Sequence, residues 1–154
     1  MRVLALYRGL KEAFESLVIA QDWVEQARRV GNLEELAREQ QHLQERMTET
    51  IWYAQELASV LEAERKAIRA LVTCPILLED PQLSLPEHHV SGLLLQAILD
   101  ALQTAVYLVN SALTDSALNA DTTPMDYQRL DANLATASLL ARRLASALTQ
   151  LQVS

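Results

Sequence analysis

Residues 91–113 read SGLLLQAILDALQTAVYLVNSAL and form the most apolar stretch of the chain. Their reading decides between a membrane span, a core helix and an exposed docking helix. Plotted at 100° per residue, Gln96, Asp100, Gln103, Tyr107 and Asn110 fall on one stripe, flanked by Thr104 and Ser111. A lipid-facing span has no use for such a stripe, and Asp100 at its centre is costly inside a bilayer. The pattern therefore predicts a helix packed in a bundle, with no membrane span.

The rest of that helix surface is apolar and has two flanks. One is small, with Ala97, Ala101, Ala105 and Ala112 beside Leu94 and Leu108. The other is bulky, with Leu95, Ile98, Leu99, Leu102, Val106, Val109 and Leu113. The small flank is expected to admit a neighbouring helix carrying Ala135, Ala137, Ala141 and Ala145, and the bulky flank to meet the first half of the chain. The apolar arc covers about two-thirds of the circumference, more than the stripe of roughly 100° that a surface helix needs. Part of it is expected to face another chain.

Outward from this stretch the same periodicity recurs. Val3, Leu6, Leu10, Ala13, Leu17, Ala20, Val24 and Ala27 alternate spacings of three and four, with Tyr7 and Phe14 at the edge. Gly31 stops this helix, and Asn32 with Glu35 forms a capping box that opens the next. The second helix carries a seam of Leu36, Leu43, Met47, Ile51, Ala54, Leu57, Leu61, Ile68 and Leu71, interrupted by Gln40, Thr50 and Glu64. Pro75 and Pro81 forbid helix in the connector 73–84, Ser84 and Glu87 cap a third helix, and Pro124 starts a fourth. The expectation is an all-α, up-down four-helix bundle built from two antiparallel hairpins. It occupies one domain, 1–154, with helices at about 3–30, 33–72, 85–118 and 124–152.

Composition narrows the function. With 13 basic and 20 acidic residues the net charge is −7, which disfavours nucleic acid, since phosphate binding needs a basic stripe. Net negative charge concentrates in residues 73–154, −5 against −2 for residues 1–72, at odds with an anionic membrane surface. The lone Cys74 and the charge that soon follows the short apolar run 3–7 point to a reducing, cytoplasmic setting. No P-loop, G-x-G-x-x-G or G-x-S-x-G motif occurs, so neither catalytic nor cofactor-binding residues are expected. Glu39 and His42 have the E-x-x-H spacing of di-iron bundles, but a dinuclear site needs a second such motif and two more carboxylates. His88 and His89 are read as an exposed first helical turn. No metal site is assigned. A ferritin-like or ligand-binding bundle using Glu39 and His42 stands as the alternative.

The favoured reading is a non-enzymatic interaction protein: an adaptor, assembly factor or chaperone, working as a homodimer or on a protein partner. The first helix is long enough to cover the second only to about residue 60. Leu61, Ile68, Leu71 and Val72 are therefore expected to form a partner surface, together with Trp52 at the seam edge. Trp23, also at a seam edge, is read as a core aromatic or a second contact. GNLEELAREQQHLQERM (31–47) with LEAERKAI (61–68) resembles the helical hairpins of flagellar and type III export chaperones over the first half of the chain. That resemblance implies partner binding through helix faces.

Overall fold

The computed structural model describes residues 2–71, 92–114 and 124–153, which form four helices: α1 (Arg2–Val30), α2 (Leu33–Leu71), α3 (Gly92–Thr114) and α4 (Pro124–Val153). The expected helical bundle is present. The turn between the first two helices falls at Gly31 and Asn32, as the sequence predicts. Residues 85–91 and 115–118, expected in the third helix, lie outside the described residues, as does the cap at Ser84–Glu87.

The first hairpin turns where the sequence says it must. Gly31 adopts φ 79°, a left-handed conformation that suits glycine, and its N–H donates to the Ala27 carbonyl at 3.0 Å. Asn32 Oδ1 then accepts the Glu35 N–H at 3.2 Å, satisfying a donor that the first turn of α2 would otherwise leave free. Within this hairpin α1 packs along α2. All eight seam residues of α1 are buried, with Tyr7 and Phe14 beside them. Gly9 is a second point of close approach, because the Tyr53 ring of α2 lies over it. A Cβ at position 9 would sit 2.9 Å from Tyr53 Cζ.

The helices neighbour one another in the order α1, α2, α4, α3, with α3 also touching α1; among the described residues α2 and α3 do not pack together. Pairs along α2 and α4 show these helices to be antiparallel. Arg65 meets Asp131, Arg142 reaches Glu62, and Gln152 Nε2 donates to Thr48 Oγ1 at 2.6 Å. Since α1 and α2 are antiparallel across the Gly31 turn, with Arg2 reaching Glu56, α1 and α4 run the same way, and direction alternates between spatial neighbours across α1, α2 and α4.

Docking α4 on α2 changes the fate of the far end of α2. Leu61 and Ile68 are buried, in one core cluster with Leu130 and Leu134 of α4. The expectation of an open surface there compared α2 with α1 alone and missed that α4 starts beyond it. Two further seam assignments shift. Gln40 is exposed rather than seated in the seam, and Leu36 and Leu43 are only half-buried. Thr50 is buried as expected, and its hydroxyl donates to the Arg46 carbonyl at 2.7 Å. On α3 the six described bulky residues are buried, and so is Ala105, whereas Ala97 and Ala101 remain exposed.

The α2–α4 face also contains a buried ionic cluster. The Asp131 carboxylate is fully buried; Arg65 Nε donates to both of its oxygens at 3.2 Å, and Arg69 Nε donates to Oδ1 at 3.2 Å. Arg65 itself is buried. Removing one member of such a set strands the remaining charge. Asp131→Asn is therefore expected to lower unfolding stability by about 3–5 kcal/mol, measured by urea denaturation; a loss below about 1 kcal/mol would show the cluster to be dispensable. At Gly9 the expected effect changes sign with context. Gly9→Ala should destabilise the wild type, because Tyr53 must move off α1. In a Tyr53→Ala background it should stabilise by up to about 1 kcal/mol through helix propensity.

Candidate functional site

The partner-binding residues expected from the sequence do not come together on one surface. Leu61 and Ile68 are in the core, so neither can meet a partner in this fold. The Leu71 side chain and Val72 lie outside the described residues. Trp52 alone stands on the surface, 52% exposed, with its ring edge-on to Tyr53 at 5.0 Å between centroids.

The largest exposed apolar side chains gather instead around the tip of the α1–α2 hairpin. Val30 and Leu33, on either side of the turn, are each 78% exposed, and Ile19 and Trp23 are each 52% exposed. At 100° per residue Ile19, Trp23, Gln26 and Val30 fall within about 60° of one another, a single stripe alongside the buried seam of α1. Helix periodicity alone could have found it, because these four positions sit outside the buried seam. Set against its seam neighbour Val24, Trp23 reads as an edge of the core; only against Ile19 and Val30 does the stripe emerge.

Between the two helices at this tip lies a hollow of about 380 Å³ bounded by Trp23, Gln26, Ala27, Val30, Glu35 and Glu39. Glu39 Oε2 is shut off from solvent and accepts no hydrogen bond among the described residues. His42 Nδ1 lies 3.7 Å from that oxygen, beyond hydrogen-bond range. The E-x-x-H pair of the sequence is thus real as a spatial neighbourhood. Among the described residues, however, no three His, Cys, Asp or Glu side chains converge as a metal site would require. His88, His89 and Cys74 lie outside the described residues.

A larger, open groove of about 780 Å³ runs between α2 and α4. It is floored by Ala58, Ala63 and Ala145 and crossed by the Arg142–Glu62 pair at 3.9 Å. On the opposite side of the bundle the polar stripe of α3 turns toward α1. There the Tyr107 ring meets Tyr7 edge-on at 6.2 Å. Tyr7 is buried and its hydroxyl has no hydrogen-bond partner among the described residues. No helix among the described residues is long and apolar enough to cross a membrane, including α3.

Comparison of the chain with protein families, with curated proteins and with solved structures found no match. The functional reading therefore rests on the surfaces just described.

Tyr7 supplies a test of the α1–α3 contact. Burial, and then the proximity of Tyr107, Asp100 and Glu15, pushes its hydroxyl from the ordinary value of 10.0 up to about 12. The folded state therefore holds this proton more tightly than the unfolded chain. Its contribution to stability is complete below about pH 10 and is lost as pH rises toward 12. Alkaline titration followed by phenolate absorbance should show one of the four tyrosines lagging, with helicity falling as it ionises. Tyr7→Phe should abolish the lag without loss of stability at neutral pH, since the hydroxyl has no bond to lose. All four tyrosines titrating together in folded protein would refute the burial of Tyr7.

Proposed function

We propose that this protein is a non-enzymatic interaction module that binds a protein partner, or a second copy of itself, through the tip of its α1–α2 hairpin. The observation that carries this reading is the stripe Ile19, Trp23 and Val30 with Leu33 beyond the turn, all large and half-exposed or more. Single exposed apolar residues are ordinary on any protein. A cluster that includes a tryptophan, held on a rigid hairpin, is what interfaces use as anchors. An adaptor, assembly factor or export-type chaperone fits this surface, and the lone Cys74 suits a reducing, cytoplasmic setting. Where the partner is identical, a twofold dimer is the simplest closed assembly. In such a dimer the same stripe from each copy would meet across the axis.

Trp52 adds a second anchor on the outward side of α2. The same hairpin thus carries both tryptophans of the chain, each half-exposed.

The test is an Ile19→Ser, Trp23→Ser double variant compared with wild type by light scattering and by capture of partners on immobilised protein. Both positions are exposed, so thermal stability should stay within about 0.5 kcal/mol of wild type. Assembly or capture should weaken by about 2 kcal/mol or more, some thirtyfold. A wild type that is monomeric and captures nothing would refute the proposal, as would an assembly indifferent to the double substitution.

A further inference from the structure

We propose, taking the hairpin tip as an interaction surface, that its hollow is a receptor for the guanidinium group of an arginine side chain on the partner. Three features of the hollow converge on that chemistry. Its wall is the Trp23 indole, half-exposed and able to take a cation on its face. Its polar lining from α2 is a pair of carboxylates, Glu35 and Glu39, one helical turn apart. The Glu39 carboxylate is mostly buried and its Oε2 accepts no hydrogen bond among the described residues, a deficit that a charge-assisted donor reaching the carboxylate from the hollow would relieve.

The other groups at the site leave this demand unmet. α1 contributes Gln26, Ala27 and Val30 alongside Trp23, none of them charged. His42 on α2 approaches the pair, but its Nδ1 stays at 3.7 Å from Glu39 Oε2, beyond hydrogen-bond range, with the ring half-exposed. A volume of about 380 Å³ is ample for a guanidinium and part of its stem. Arginine suits the hollow better than lysine. Its planar head stacks on an indole while several donors reach both carboxylates, whereas an ammonium is a compact, strongly hydrated point charge. The apolar rim of Ile19, Val30 and Leu33 would then pack against whatever surrounds that arginine on the partner, excluding water from the ion pair.

The full chain, nitrogen-labelled, gives two indole N–H signals, from Trp23 and Trp52, which a Trp52→Phe variant assigns. The probe is arginine blocked at both ends, and the control is blocked citrulline, a neutral side chain of nearly the same shape. Arginine should shift the Trp23 signal saturably with an affinity on the order of millimolar, as expected for a single side chain. Citrulline should leave the signal in place. Glu39→Gln, with helicity unchanged, should weaken the arginine effect about tenfold through loss of one charge-assisted bond. A Trp23 shift that does not saturate, that citrulline reproduces, or that survives Glu39→Gln overturns the site. So does an equal shift at Trp52. If arginine has no effect while Ile19→Ser, Trp23→Ser still abolishes assembly or capture, the guanidinium receptor is refuted and the apolar tip is not.

Discussion

A buried carboxylate organises the junction between the two hairpins. Asp131 sits in the first turns of α4 without access to water, and Arg65 and Arg69 of α2 both donate to it. An apolar helix face can slide by a turn against another apolar face at small cost. A charge in a dry interface cannot, because only one register brings its donors within reach. That requirement sets α4 against the upper part of α2, which in turn buries Leu61 and Ile68 and leaves α3 to pack on the far side of α4. Farther along the same pair, Gln152 and Thr48 meet in the register that Asp131 sets.

Much of the architecture was legible in the sequence because it is written in local chemistry. Gly31 and Asn32 specify a turn with their own backbone and side-chain geometry, and α1 shows a strict alternation of threes and fours that became a buried face at all eight positions. α2 was harder to read. Over 39 residues a repeat of 3.5 and a helix of 3.6 residues per turn drift apart, so a seam assigned as one straight line loses phase at its ends. At one end Gln40 proves exposed, and at the other Arg65 rather than Glu64 enters the interior. The partner of Arg65 lies 66 residues away, and periodicity carries no information about such pairs.

The surface was less legible for a related reason. Counting turns of α1 against α2 correctly shows a shortfall beyond residue 60, but what covers that shortfall depends on which helix docks there. Four apolar faces can be arranged around a core in more than one order, and nothing local distinguishes α4 from α3 as the neighbour of α2. The exposed stripe on α1 was within reach of the pattern, since Ile19, Trp23 and Val30 share a face to one side of the one that periodicity assigns to the core. Trp52 was rightly placed at an edge. The hollow beside Glu39 depends on two helices at once and could be seen only after folding.

The positions of the two tryptophans also govern how this protein looks to a spectroscopist. Both indoles stand half in water on the same hairpin, and neither belongs to the packed interior. Their emission in the native state is already that of a partly solvated ring, so melting of the core changes their surroundings little. Intrinsic fluorescence is thus a poor thermometer for this fold and a sensitive gauge of its surface. A molecule that settles on the hairpin tip dehydrates Trp23 directly, and a blue shift without any change in helicity becomes the optical mark of docking.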